Sequence, residues 1–289
     1  MMADRRKISF LSRPPLVWAL LLLIVALQVG CVPDSNGDTG TGPRAKLPDI
    51  PPLGGRQASA VRIPYVIRIQ MGTIQVPAGL ISSSEELWSY LDEEPVSMQS
   101  VVLGLNGLRV GLGRASAWGD VERILKKMTA QVYTTSTIQT FSGQPVQVAV
   151  KANQPAQTVC IFRQDMTLWG ADYPPGDNIL AISCTLDEDD RTRLILSAVP
   201  QIRTTKRFTR YVRKHGQAQA VTMPKLYSFQ DMRFQLPLRS GEFLVIGPGI
   251  ESRRLTSLAH RFLTKTIAGI EHETVLILRP QIYRINYEE

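Results

Sequence analysis

The sequence predicts an α+β protein: a small N-terminal α+β module over residues 61–129, followed by a mainly antiparallel β domain over residues 130–289. Three observations carry this. Apolar residues at helix spacing are confined to short stretches, whereas alternation with a period of two dominates after residue 130. Polar turns rich in Gly, Ser and Asp separate the alternating runs, which favours antiparallel neighbours. An aliphatic run ending in Pro-Gln-Ile also occurs twice, as "LILSAVPQI" at 194–202 and "VLILRPQI" at 275–282.

In the first module, "VRIPYVIRIQMGTIQV" alternates as a strand. "SSSEELWSYLDE" then offers Ser82 and Glu85 at the spacing of a capping box, with Leu87, Trp88 and Leu91 as a helix face. "MQSVVLGLNGLRVGLG" reads as two strands around Asn106-Gly107, a dipeptide suited to a tight hairpin. "SAWGDVERILKKM" closes the module as a helix with Val121, Ile124, Leu125 and Met128 on one face. In the second domain, "QVYTTSTIQTF", "QPVQVAV" and "QTVCIF" read as strands. They are followed by two alternating runs joined by the acidic turn Asp187–Asp190, and by "MRFQLPLRSGEFLVIGPG" and "ETVLILRPQIYRI". Leu255, Leu258, Ala259, Phe262 and Leu263 stand at helix spacing before the last of these.

The leader bounds the compartment. Arg5, Arg6, Lys7 and Arg13 precede the apolar run from Leu16 to Leu27, which is short for a bilayer span of about 20 residues. This pattern predicts a signal peptide over residues 1–30. Gln28-Val29-Gly30-Cys31 resembles the lipobox of bacterial lipoproteins, with Gln28 where that family usually has leucine. The resemblance implies lipidation at Cys31. With Val32 next to Cys31, it also implies a place at the outer membrane, facing the periplasm. Plain signal cleavage and an uncleaved anchor are the alternatives. Residues 31–60 are dense in Pro, Gly, Ser, Asp and Thr without apolar periodicity, as a flexible tether would be.

Removing the leader takes away four basic groups and one acidic group, so the formal charge falls from +8 to +5. A basic chain favours anionic partners. Export makes a membrane surface or an envelope protein the expected partner and argues against nucleic acid. Cys160 and Cys184 both fall in strand-like runs; an oxidising compartment permits a disulfide between them, and two buried thiols are the alternative. His215, His260 and His272 lack any serine or cysteine in a nucleophile setting. Gly107, Gly111 and Gly113 match neither a phosphate loop nor a dinucleotide fingerprint. The acidic turn lacks the interleaved glycine of a calcium loop and reads as solvated. No catalysis, metal or cofactor is expected. The densest charged feature is "TTKRFTRYVRKHGQ", where Lys206, Arg207, Arg210, Arg213 and Lys214 alternate with Phe208, Tyr211 and Val212. It is the candidate membrane or partner contact, and ordinary solubilising charge is its alternative.

Taken in order, the strand motifs of the second domain resemble the C-terminal domain of bacterial secretins. Ser142-Gly143-Gln144 stands where that family opens its domain. Asp189-Asp190 with Leu194, Leu196 and Pro200 follows as its paired strands. Ser240-Gly241-Glu242 with Val245, Ile246 and Gly247 matches a third strand, and Glu273–Leu278 with Pro280 and Ile282 matches the closing one. Where secretins carry a lip segment, this chain has "ESRRLTSLAHRFLTKTIAGIEH", basic and partly helical. The resemblance implies a secretin-like β domain in a cell-envelope lipoprotein that serves a membrane-associated or secretion-related assembly by protein contact. A periplasmic binding or scaffolding lipoprotein without a pore is the alternative.

Overall fold

The computed structural model describes residues 65–128, 134–214 and 217–284. The signal peptide, the Cys31 lipobox and the tether therefore lie outside the described residues. In chain order the first elements are β1 (Tyr65–Pro77), α1 (Glu85–Trp88), β2 (Leu91–Asp92), α2 (Ser97–Leu105), β3 (Leu108–Gly113) and α3 (Trp118–Met128). Five strands follow: β4 (Thr134–Phe141), β5 (Val146–Gln154), β6 (Gln157–Phe162), β7 (Leu168–Tyr173) and β8 (Gly176–Leu186). The remainder is β9 (Arg193–Lys214), β10 (Gln217–Ser228), β11 (Phe234–Arg239), β12 (Phe243–Pro248), α4 (Leu258–Leu263), β13 (Thr264–Ile267) and β14 (Ile270–Arg284). The described chain is thus mostly antiparallel strand with short helices, as the alternation predicts.

Two main sheets form. The larger runs β2-β3-β12-β14-β1-β4, with β13 also on β14, and the smaller runs β10-β9-β8-β5, with β11 also on β9. β6 and β7 make a separate pair. Strands from both sides of residue 130 share the larger sheet: β1 pairs with β14 along its whole length, and β3 pairs with β12.

The continuous apolar runs have a physical reason in this layering. In β12, Leu244 and Ile246 face a core shared with the smaller sheet, while Phe243 and Val245 face α1 and α3 on the other side. In β14, Leu276 and Leu278 enter the first core and Val275 and Ile277 the second. A strand covered on both faces has no polar side to show, so its sequence stops alternating. β1 crosses between the two: Ile67 and Ile69 lie in the first core, Ile74 and Val76 in the second.

The two Pro-Gln-Ile units are also explained. Pro200 of β9 stands between the end of β11, which reaches Ala198, and the end of β10, which reaches Gln201. Pro280 of β14 lies beyond Leu278, where pairing with β12 stops. Each proline stands where one edge of its strand is unpaired, which is where strands tolerate a residue without an N–H.

Two local expectations are corrected. The segment before Asn106 is the helix α2, not a strand. Asn106-Gly107 ends that helix: Gly107 adopts φ +77° and donates its N–H to the Gly104 carbonyl at 2.8 Å. Asn106, fully buried, donates its side-chain amide to the Val102 and Phe162 carbonyls and accepts from Phe162 N–H. The capping box also shifts. Ser84 caps α1 by accepting from Leu87 N–H, whereas Ser82 turns to a buried carboxylate on β14, Glu273.

Candidate interaction surface

β8 begins at Gly176, which pairs with Thr204 of β9. Pro174 and Pro175 precede it and cannot donate to a ladder. The Pro175 carbonyl takes one last bond, from Thr205 N–H at 3.2 Å, and there β9 leaves the sheet. From that point β9 pairs with β10 alone, in register from Arg207↔Pro224 to Lys214↔Gln217. The result is a two-stranded ribbon extending about 30 Å at roughly 3.4 Å per residue.

The candidate basic residues Lys206, Arg207, Arg210, Arg213 and Lys214 all lie on this ribbon. Between Gln201 and Ser228 the sequence holds seven basic residues and no acidic one. Lys206, Arg207, Arg210 and Arg213 are exposed and make no ion pair among the described residues. Alternation along the register puts Phe208, Val212, Val221 and Met223 on one face, beside Arg210. The other face carries Arg207, Tyr211 and Arg213 with Thr209 and Thr222. Tyr211 is 75% and Phe208 45% exposed. An isolated hairpin is marginal in water, and open strand edges are templates for further pairing. A ribbon of one charge sign with exposed aromatics is therefore an unfinished surface.

The other candidates are dispersed. Cys160 lies on β6 and Cys184 on β8; both thiols are free, so the bridge weighed between them is not formed in this structure. Asp187 accepts from Asp189 N–H, and Asp190 from the N–H and hydroxyl of Thr192, so the acidic turn is held by its own backbone. Asp190 is held below the usual carboxylate range by these Thr192 bonds. His260 Nδ1 contacts the Ser252 carbonyl at 3.1 Å, and burial lowers its pKa. His272 Nδ1 lies 3.0 Å from the Ile270 carbonyl. His215 lies outside the described residues. Gly107 and Gly113 are packing positions: a Cβ on Gly107 would sit 2.6 Å from Ser252 N, and one on Gly113 2.1 Å from Phe243 Cζ. No described helix is long and apolar enough to cross a membrane.

Sequence reasoning did not single out Lys151. Its ammonium donates to the Thr264 carbonyl at 2.7 Å, and burial, then Arg261 and Lys265, pull its pKa from 10.5 to about 8. Below pH 8 both folded and unfolded chains hold this proton. Between 8 and 10.5 the unfolded chain holds more, so this group makes stability rise with pH. Cys184 acts oppositely above pH 9, because burial pushes its thiol from 9.0 to about 12. Denaturant unfolding at pH 8 and pH 9 should therefore show greater stability at pH 9, and Lys151→Met should flatten the difference. An unchanged slope in the variant would remove Lys151 as its source.

No protein-family model and no curated protein matches the chain. Among solved structures it has distant likenesses. The Klebsiella pneumoniae type II secretion system outer membrane complex of PulD, PulS and the PulC HR domain matches at 9% identity and TM-score 0.25, over 78% of this chain and 41% of that one. The V. cholerae type IV competence pilus secretin PilQ matches at 9% identity and TM-score 0.22, over 76% of this chain and 59% of that one. The ETEC pilotin–secretin complex AspS-GspD matches at 9% identity and TM-score 0.21, over 76% and 48%. The likeness is to secretins. This chain spans 41–59% of the length of those three.

Proposed function

We propose that this chain is a cell-envelope lipoprotein with a secretin-like domain, contributing to a membrane-associated or secretion-related assembly by protein contact rather than by catalysis. The observation that carries the reading is the β9–β10 ribbon, which leaves its sheet at Thr205 with both edges open and both faces exposed. Pairing of ribbons between copies would satisfy the open edges, and anionic headgroups or an acidic partner would offset the charge. The secretin motifs and the lipobox resemblance support the same place, at the outer membrane and facing the periplasm, with Cys31 as the anchor.

The test is size. Protein extracted in mild detergent should migrate far above its 32.2 kDa chain mass, and deleting the ribbon from Lys206 to Pro224 should return it to the monomer. A wild-type monomer would remove self-association and favour the binding or scaffolding alternative. The same preparation, made with labelled fatty acid beside a Cys31→Ala variant, reads the anchor: label in both would displace Cys31.

A further inference from the structure

At the root of the ribbon, where Arg207 stands, lies a cavity of about 430 Å³. Irregularities of strand pairing border it at Asn153 and Pro224. β5 slips register against β8 twice, between Ala149 and Lys151 and between Lys151 and Gln154. β10 slips against β9 between Pro224 and Leu226. Gly176 approaches β9 so closely that a Cβ would lie 2.4 Å from the Arg203 carbonyl oxygen. Bulges bend strands and re-aim side chains, and they gather beside binding sites. Asn153 takes up φ +54° in the slipped part of β5, a conformation that Asn tolerates better than most residues.

The charges in the cavity are not balanced. Arg203, Thr205 and Arg207 share one face of β9 by alternation, and all three line the cavity. Asp177 faces Arg203 across the pair and binds it at 2.8 Å, while its second oxygen accepts from Asn153 N–H at 2.9 Å. Those two bonds, Asn153 first, keep the Asp177 carboxyl below the usual carboxylate range. Asp177 is thus fully committed to one arginine. Gln147 takes a second N–H of Arg203 at 3.2 Å, which fixes the guanidinium. The Arg207 side chain makes no hydrogen bond or ion pair among the described residues and lines the same cavity.

The geometry points to an oxyanion site for a phosphate group, held by the free guanidinium of Arg207 and positioned against the fixed Arg203. Two guanidiniums suit a tetrahedral oxyanion because each can give parallel N–H donors to two of its oxygens. The Asn153 side chain adds a neutral donor at the cavity wall, while the Thr205 hydroxyl donates to the Pro175 carbonyl at 3.5 Å. Phosphate could arrive free or as a phosphomonoester headgroup on a surface that the ribbon touches. The site is complete within one chain, so it stands apart from self-association.

The full chain would be titrated with inorganic phosphate, with acetate as the carboxylate comparison. Saturable phosphate binding is expected, weakened about tenfold in Arg207→Ala and partly restored in Arg207→Lys. Lys206→Ala, on the opposite face of β9, should change it less than about twofold. Vesicles of phosphatidylcholine with phosphatidic acid, against vesicles matched in charge with phosphatidylglycerol, separate the sources. A phosphatidic-acid preference lost in Arg207→Ala assigns the headgroup; phosphate binding without such a preference assigns the free anion. Absent phosphate saturation, acetate binding as tight as phosphate, or equal loss in Lys206→Ala and Arg207→Ala would each overturn the site.

Discussion

Replacing Phe243 with alanine should lower the free energy of unfolding by about 3–5 kcal/mol. Phe243 is fully buried in the layer between the larger sheet and the helices. Its ring meets Trp118 edge-on, with centroids 5.1 Å apart and planes at 79°. It also fills the space above Gly113, its partner across β3 and β12, where no side chain competes. Truncation would leave a cavity against a glycine, and glycine has no side chain with which to relax into it. Denaturant midpoints would read the loss, with Phe208→Ala as the comparison. Phe208 is large too, but half-exposed on the ribbon, so its removal should cost within about 0.5 kcal/mol. A Phe243→Ala loss below about 1 kcal/mol would mean that the helices do not seal this face.

Glu273→Ala is expected to cost about 3–4 kcal/mol. Glu273 is 3% exposed on β14, and its carboxylate accepts three bonds from one corner of the chain. These come from Ile81 N–H at 3.0 Å, Ser82 N–H at 3.1 Å and the Ser82 hydroxyl at 2.7 Å. The same corner gives the Ile81 carbonyl to the Trp88 indole N–H, so the carboxylate fixes the seat of α1 as well. Alanine would strand all three donors away from water. Glutamine would keep an oxygen for the two N–H groups and offer its amide to the Ser82 hydroxyl, at a cost of about 1 kcal/mol. Equal losses for alanine and glutamine would assign the effect to charge rather than to the bonds. Alanine within about 1 kcal/mol of wild type would show that the corner does not depend on Glu273.

Strand periodicity, α3, α4 and the position of the basic run were legible because each depends on neighbours a few residues away. Asn106-Gly107 misled because its φ preference serves a hairpin and a helix end equally, and "VVLGL" is too short to separate the periods. Ser82 misled because three serines compete for one cap, and a carboxylate some 190 residues away takes the first of them. The pairing of β1 with β14, and the parting of β11 and β12 into different sheets, leave no local trace. At the interaction surface the charges were visible, but the ribbon's start was not. It is set by Pro174-Pro175-Gly176, a signal present in the sequence that only the register turns into an edge. Asp177 and Arg203 escaped notice because β8–β9 pairing brings them together, and Asn153 because a register slip of β5 carries it to Asp177.

The embrace of β1 by β14 also sets an order of events. Ile69 finds Pro280, and Ile74 finds Val275, only after some two hundred intervening residues have been made. Until then the larger sheet lacks a strand at its middle, although every strand of the smaller sheet has already been made. Such distant closure is slow. A nascent chain of this kind closes its larger sheet last.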